Sequence, residues 1–406
     1  MAVADKTMSV RCCIAGGGPA GMMLGLLLAR QGIEVAVLEK HADFLRDFRG
    51  DTIHPSTLQV MNELGMLDDL LKLPHDKVDT MAMQVADDMI HLADLRHLPT
   101  RCKFIALMPQ WDFLDFLAAQ ARRYASFHLL MKTAATGLIF DGSRIAGVSA
   151  QGPAGPLEIR ADLTVAADGR HSTLRPSAGL EVTVLGAPMD VLWMRLSRKP
   201  EDPPQILGKI ATGRMMVMLN RTTYWQCAYL IPKGHVDRVH AAGLDAFRAD
   251  LTRLVPWLGD RPAELKDWDQ VKLLTVAVDR LERWHRPGLL CIGDAAHAMS
   301  PVGGVGINLA IQDAVATANI LGPVLQHGRP SDDDLDRVQR RRMWPTKMTQ
   351  AMQIQVQNRL VNRVLSGGGG GRAPLMFRLF NHLPILRRIP ARLIGMGFRP
   401  EHVRIR

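Results

Sequence analysis

The stretch VRCCIAGGGPAGMMLGLLLARQGIEVAVLE, residues 10–39, constrains the fold more than any other part of the chain. Apolar residues lead up to Ala15, a cluster follows (Gly16, Gly17, Gly18, Pro19, Ala20, Gly21), an apolar helical run reaches Arg30, and Gly32 stops it. Residues 33–38 then read as a second strand closed by Glu39. This is a βαβ opening. Gly16 suits the tight turn off the strand, Gly18 lets the backbone approach a pyrophosphate, and Gly21 lets the helix pack close to the sheet. Pro19 fits the first helical turn, whose free N–H groups and positive dipole end face the phosphates. Glu39, about 20 residues after the glycines, stands where an acid accepts hydrogen bonds from a ribose. Glycine-rich turns are common by themselves; the register of strand, helix, second strand and terminal acid is what points to a dinucleotide.

A chain of 406 residues, 47% of them apolar, is long enough for two domains or one large one with an inserted part. Its cysteines, Cys12, Cys13, Cys102, Cys227 and Cys291, form no C-x-x-C pair and read as buried thiols of a reducing compartment, not as a metal site or disulfide frame. The first ten residues have no apolar signal core and no run of about 18 apolar residues occurs, so a cytoplasmic location is expected. The net charge of +10 raises nucleic acid as a partner, yet residues 372–406 carry eight arginines against Glu401 alone and the remainder is nearly balanced. Without interleaved aromatic and basic residues, no nucleic-acid surface is expected.

After Glu39 a loop carries Arg46, Arg49 and His54-Pro55; Arg49 is close enough to the βαβ unit to fold back over its phosphates, the alternative being a solvated loop arginine. A helix is predicted over 56–64, with Ser56 as N-cap, Pro55 fixing the entry and Gly65 ending it. Residues 76–103 are irregular and strand-like, 105–108 return to apolar sheet, and 110–124 repeat Trp111, Leu114, Phe116, Leu117 and Ala121 at helical spacing. A hairpin is predicted around Asp141-Gly142, and a strand from 163 ends on Asp168-Gly169. Alternating stretches between 181 and 278 predict a second sheet with one helix over 244–254. A buried strand then ends at Asp294, and a glycine-rich loop runs into a helix that Gly322-Pro323 is placed to interrupt. Helix continues to about 365, Gly367 to Gly371 form a flexible joint, and Pro374, Pro384, Pro390 and Pro400 restrict the tail to short helices.

Three motifs in order, GGGPAG at 16–21, AADGRHSTLR at 166–175 and CIGDAAHAMSPVGGVGINLAIQDA at 291–314, resemble the class A flavoprotein monooxygenases, the para-hydroxybenzoate hydroxylase-like aromatic hydroxylases. The resemblance covers about residues 8–325. It implies an α/β fold, with a Rossmann-like FAD-binding domain discontinuous over 1–75, 105–180 and 277–330, an inserted β-sheet substrate domain over 76–104 and 181–276, and C-terminal helices with a basic tail over 331–406. It further implies FAD as cofactor, NADPH or NADH as transient reductant, and O2-dependent hydroxylation or epoxidation of an aromatic or polycyclic small molecule through a flavin C4a-hydroperoxide. Asp294 corresponds to the family's ribityl-binding acid, Arg49 to its phosphate-side arginine, Asp168-Gly169 to a motif linked to both dinucleotides, and Gln110 to a polar residue against the ribityl or ribose. A strand-end turn former and a helix cap are the plain alternatives for Asp168 and Asp294. The expected cofactor set also holds Gly16, Gly18, Pro19, Ala20, Gly21, Glu39, Lys40, Gly304, Val305, Gly306 and Asn308; the expected catalytic set is Pro301, Gly303, Gly304 and His54, with no metal.

A reduced flavin carries negative charge near N1 and O2, where the helix beginning near 304–306 would aim its N–H groups. The loop glycines would leave the ring face open to oxygen, and Pro301 would stiffen the loop. No second G-x-G-x-x-G follows a later strand, so the nicotinamide is expected to visit transiently, with Arg46, Arg49 and His171 as candidates for its phosphates.

Other readings stay open. A flavin-dependent halogenase shares the fold and first motif, but its W-x-W-x-I-P signature is replaced here by Cys227-Ala228-Tyr229-Leu230-Ile231-Pro232. A geranylgeranyl-reductase-like enzyme would need no oxygen, and a non-catalytic flavin- or ligand-binding protein would consume no NAD(P)H. The basic tail reads as a cap on the FAD domain, because its prolines forbid one long amphipathic face, or as a peripheral membrane contact. A monomer or homodimer is expected. Trp193, Arg195, Arg214, Met216, Met218, Asn220, Tyr224 and Gln226 lie on strands of the second sheet, one parity of which should face the flavin; the sequence leaves that parity open.

Overall fold

A computed structural model describes residues 6–45, 52–86, 88–203, 208–221, 223–366 and 375–404. Arg46, Arg49 and the five consecutive glycines lie outside the described residues.

The strand Lys6–Ala15 has parallel neighbours on both sides, Val35–Leu38 and Gly155–Ala166. Phe127–Leu130 extends the first side and Leu289–Cys291 the second, again in parallel. Cys12, Cys13, Ile14, Val35, Ala36 and Val37 are wholly buried, the continuous apolar run that a sheet covered on both faces requires. Helix Pro19–Arg30 packs against helices Gln110–Ala121 and Gly306–His327 over this core. The hairpin Ala134–Asp141 and Arg144–Gly152 pairs antiparallel with Gly155–Ala166.

Register matters more here than strand count. Ala15 lies opposite both Leu38 and Ala166, and Ala166 lies opposite Cys291. Gly16, Glu39, Asp168 and Gly293 therefore leave the sheet side by side, at the carboxyl ends of parallel strands where open α/β sheets bind ligands.

A second, seven-stranded sheet has the spatial order Lys272–Leu274, Met189–Ser197, Tyr224–Pro232, Arg214–Arg221, Gly208–Ala211, Thr80–Val85, Asp88–Asp94. Leu192, Met194, Leu196, Met216, Met218, Trp225, Cys227 and Tyr229 pack with Phe247, Leu251 and Leu254 of helix Leu244–Leu254. The opposite parity, including Met189, Val191, Trp193, Met215, Val217, Ala228 and Leu230, packs with Val302 of the glycine-rich loop and with Leu360 and Leu365. By alternation Trp193, Arg195, Tyr224 and Gln226 belong to the loop-facing side, and Arg214, Met216, Met218 and Asn220 to the helix-facing side. Asp76–Val78 pairs instead with Ile105–Leu107, which also pairs with Thr52–Ile53 in a small three-stranded sheet.

Three expectations are corrected. Helix Pro55–Glu63 starts one residue early, with His54 at the cap position and Ser56 inside the first turn, because Pro55 has no N–H to satisfy and its φ is preset. Helix Gly306–His327 runs straight through Gly322-Pro323. A Cβ on Gly322 would stand 2.2 Å from Oε1 of Gln31, so the glycine permits close helix packing, and burial of Leu321 and Leu325 outweighs the missing N–H. An additional helix, Val236–Ala242, precedes Leu244–Leu254; it buries no residue and so leaves no apolar period to read.

The tail forms helices Leu375–His382 and Arg388–Gly395. Ala391 and Met396 join Met81, Ala93, Leu95, Leu98, Ile105 and Leu107 in one apolar cluster, so this segment packs on the body of the protein. Among the described residues no helix is long and apolar enough to cross a membrane. All five cysteines are buried.

Candidate active site

The glycines of the first turn differ in what a side chain would meet. A Cβ on Gly16, whose φ is +111°, would stand 2.3 Å from the Ala167 carbonyl oxygen, and one on Gly21 would stand 1.9 Å from that of Gly16. Among the described residues a Cβ on Gly18 would meet nothing within 4 Å, although Gly18 caps a helix with Pro19 at its first position. Gly16 and Gly21 are thus set by packing, and Gly18 fronts open space at a helix N-terminus. Ala20 is buried and touches the third motif, since a Cβ on Gly293 would come within 3.1 Å of its own. The carboxylate of Glu39, 8% exposed, accepts the Gly17 N–H at 3.2 Å and the His41 N–H at 2.9 Å, holding the turn closed beside the exposed Lys40.

Asp168 divides its two oxygens. Oδ2 accepts the Thr173 and Leu174 N–H groups at 2.8 and 3.3 Å, while Oδ1 is buried with no hydrogen-bond partner among the described residues. It is therefore both a turn former and an unsatisfied acceptor at a strand end, which is an expensive arrangement unless a ligand donates to it. Gly169, at φ +86°, makes the turn, and His171 is exposed. Asp294 sits partly buried in the turn Gly293–Ala295. Gln110, partly buried, opens its helix three residues beyond Leu107, which pairs with Thr52.

The glycine-rich loop is fixed from two sides. Gly303 and Gly304 take φ values of +80° and +63°, and a Cβ on Gly304 would lie 2.4 Å from Oγ1 of Thr52. Thr52 donates that hydroxyl to the Gly304 carbonyl at 2.9 Å. Asn308, near the start of helix Gly306–His327 after Val305, donates to the Thr52 and Gly304 carbonyls at 3.1 and 3.2 Å. Its Oδ1 accepts from the His54 N–H and the Thr57 hydroxyl, both at 2.8 Å. In the described structure Asn308 is thus a strut between two loops. From the other side, Gln353 accepts the Ser300 N–H and donates to the Ser300 and Val302 carbonyls, flanking Pro301, while Gln350 donates to the Ala298 carbonyl. Gln357, at the start of the π turn Gln357–Val361, donates to the Ser300 hydroxyl. Sequence reading missed these three glutamines; their signal was a polar i, i+3, i+7 stripe that continues the buried face of Leu335, Val338, Arg342 and Thr346.

His54 is wholly buried. Its Nδ1 lies 2.7 Å from the Ile394 carbonyl oxygen, which can only accept, so Nδ1 carries the proton and Nε2 is a bare acceptor with no partner among the described residues. Burial pulls the imidazole down to about 4, against the opposing pull of the Ile394 carbonyl. A base whose folded value lies below its unfolded one binds fewer protons folded than unfolded between those values, so it costs stability as pH falls from its ordinary range towards 4. We expect the melting temperature to drop over that window and the drop to shrink in His54→Gln, read by calorimetry from pH 7 to pH 4.

Behind the loops lies a charge network that the sequence did not disclose. Asp313, wholly buried, accepts the Gly293 N–H at 3.1 Å and His297 Nε2 at 2.6 Å on one oxygen, and Arg342 Nε at 2.9 Å on the other. Burial alone would push its carboxyl up, but His297 and Arg342 outweigh that and hold it below the usual range. Arg342 also reaches Glu401 of the tail at 3.2 Å.

The residues fit an FAD: an open glycine turn at a helix N-terminus, acids leaving neighbouring strand ends together, an orphaned acceptor on Asp168, and a glycine loop facing a second sheet. These features define a flavin-dependent oxidoreductase built on a dinucleotide fold. The chain belongs to the FAD binding domain family, which matches residues 9–351. It is 32% identical over 385 residues to 6-methylpretetramide 4-monooxygenase of Streptomyces rimosus, covering 93% of this chain and 91% of that protein. OxyS anhydrotetracycline hydroxylase from Streptomyces rimosus shares the fold with a TM-score of 0.73 and 24% identity, over 96% of this chain and 76% of that one. p-Nitrophenol 4-monooxygenase PnpA from Pseudomonas putida DLL-E4 does so with a TM-score of 0.71 and 20% identity, over 97% and 100%. The protein is an FAD-dependent monooxygenase, with NAD(P)H as reductant.

Proposed function

We propose that the enzyme hydroxylates a fused polycyclic aromatic molecule held between the glycine-rich loop and the loop-facing side of the second sheet. In this reading segments 76–104 and 181–276 hold the substrate, and 1–75, 105–180 and 277–330 hold FAD. The observation that carries it is a cross-strand row, Trp193, Ala228 and Val217, on the side that packs with Val302. The next row places Arg195, Gln226 and Leu219 together, and the buried Gln226 accepts from Arg221 Nε at 3.0 Å. A broad apolar wall with a few fixed polar groups suits a flat ring system. The relatives named for 6-methylpretetramide and anhydrotetracycline accord with that choice.

FAD, when bound, supplies the redox and oxygen-activating chemistry. The chain binds and orients it through Gly16, Gly18, Pro19, Gly21, Glu39, Asp168 and Asp294. Helix Gly306–His327 would direct its N-terminus at negative charge on the bound flavin, Pro301 and Gly303 would leave the ring face open to oxygen, Gly304 makes room for Thr52 behind the loop, and Val302 would exclude water. His54, with Nδ1 donating to the Ile394 carbonyl and its backbone N–H to Asn308, holds the entry to helix Pro55–Glu63 beside this loop.

With one dinucleotide fold serving two dinucleotides, substrate should gate reduction. In anaerobic stopped-flow with NADH and NADPH, polycyclic phenols that become hydroxylated are expected to raise the reduction rate at least tenfold, about 1.4 kcal/mol of differential binding. Trp193→Ala should raise KM for the same compounds by about ten- to a hundredfold, roughly the worth of one large buried apolar side chain. Oxygen consumption with no hydroxylated product from any aromatic compound would overturn the proposal.

A further inference from the structure

The C-terminal segment touches the flavin site at two separate points. At the first, the Ile394 carbonyl accepts from His54 Nδ1 at 2.7 Å, and the same histidine's N–H is bound to Asn308, the strut of the glycine-rich loop. At the second, Glu401 accepts Arg342 Nη1 at 3.2 Å and is clamped by Arg341 at 2.6 and 3.0 Å. Arg342 passes the contact to Asp313, and Asp313 accepts the Gly293 N–H directly before Asp294. Glu401, Arg342 and Asp313 are at most 5% exposed. The Glu401 N–H also donates to Gln312, the residue before Asp313.

These contacts form two unbroken lines, each from the tail to one of the loops that would border the cofactor. A buried ionic chain is sensitive to the loss of any member, because the partner left behind has no water to turn to. The Gly293 amide has its place fixed by one carboxylate oxygen, and that carboxylate is steered by a guanidinium shared with the tail. Deleting the tail's carboxylate frees Arg342 to reorient and slackens Asp313.

We propose that Glu401 is a positioning residue for the flavin: docking of the C-terminal segment holds the Gly293–Asp294 turn in its FAD-binding form, so that tail docking and FAD binding stabilise each other. This rests on the FAD assignment of Asp294. Coupling is reciprocal by necessity, so each event must be visible from the other end.

Two measurements test it. In the full-length wild-type protein, amide exchange across residues 388–404 should slow on adding FAD to the apoprotein, and slow by more than exchange in the helix Leu244–Leu254, which is remote from the network. In Glu401→Gln, with folding verified by circular dichroism, the FAD dissociation constant should rise about five- to fiftyfold, within the usual span of coupling between sites. Glu401→Asp should recover part of that loss. A variant that melts earlier but binds FAD within twofold of wild type would mean that Glu401 only adds stability, and the proposal would be lost. Unchanged tail exchange in wild type would overturn it independently of any variant. Failure of Asp294→Ala to weaken FAD binding would instead remove the FAD assignment on which the proposal stands.

Discussion

Gly21→Ala is expected to yield apoprotein. Alanine in a helix is ordinarily worth about 1 kcal/mol more than glycine, so intrinsic propensity favours the substitution. Sterics oppose it and win, because the added carbon would lie 1.9 Å from the Gly16 carbonyl oxygen, a backbone atom that no rotamer change can move. Relief requires helix Pro19–Arg30 to lift from the strand or the turn to open, and overpacking of this kind costs about 1–3 kcal/mol or more. Gly18→Ala makes the informative contrast. Its Cβ would meet no atom of the described residues within 4 Å, so the melting temperature of the apoprotein should stay at the wild-type value while FAD affinity falls by at least a hundredfold. Measuring apoprotein stability by calorimetry and FAD binding by fluorescence quenching separates the two roles. If Gly18→Ala binds FAD normally, the open space in front of Gly18 is not where the cofactor's phosphates lie.

Arg261→Ala carries the second large effect. Arg261 and Asp202 have side chains only 4% and 3% exposed, and the guanidinium donates to both carboxylate oxygens at 2.6 and 3.0 Å. Asp202 further accepts from Trp225 Nε1 at 2.8 Å and Lys199 N–H at 3.0 Å. Burial pushes the Asp202 carboxyl up, but these donors, Arg261 foremost, bring it down to about 2. Removing the arginine leaves a carboxylate buried without its counter-ion, which typically costs about 3–5 kcal/mol. Urea denaturation at pH 7 should show that loss. A depressed carboxyl contributes stability above its ordinary value and loses it as pH falls through the folded one, so the contribution of this pair in wild type should fade as pH falls from 3.8 to about 2. In Arg261→Ala burial raises the folded value of the Asp202 carboxyl, so acid should relieve the orphaned charge and the stability gap to wild type should narrow as pH falls. Trp225 lies on the helix-facing side of the second sheet, so FAD binding should be spared.

The two effects fall in parts of the molecule that were unequally legible in the sequence. The turn at Gly16–Gly21, the acids at strand ends and the glycine loop could be read because each depends on local backbone chemistry at fixed spacing. The strand parity of the second sheet could not, since runs such as Arg214–Arg221 are apolar on both faces and the usual alternation is erased. The glutamines behind the loop and the pairing of Asp313 with Arg342 and Glu401 join residues that are remote in sequence, so no window contains both partners. Local rules erred where tertiary packing overrode them, as at Pro323, where helix continuity follows from what surrounds Gly322.

The common level reached by Ala15, Leu38, Ala166 and Cys291 has a consequence for biosynthesis. The edge of Gly155–Ala166 that receives Leu289–Cys291 is made long before its neighbour. At about 5–20 residues per second, roughly 6–25 s of translation separate the two. Throughout that interval the nascent protein presents an open, apolar strand edge of the kind that recruits other strands. The Gly293–Asp294 turn and the helix behind it come later still, so a cofactor held there would meet them only after most of the chain has left the ribosome. Shielding that edge until Leu289–Cys291 arrives falls to chaperones.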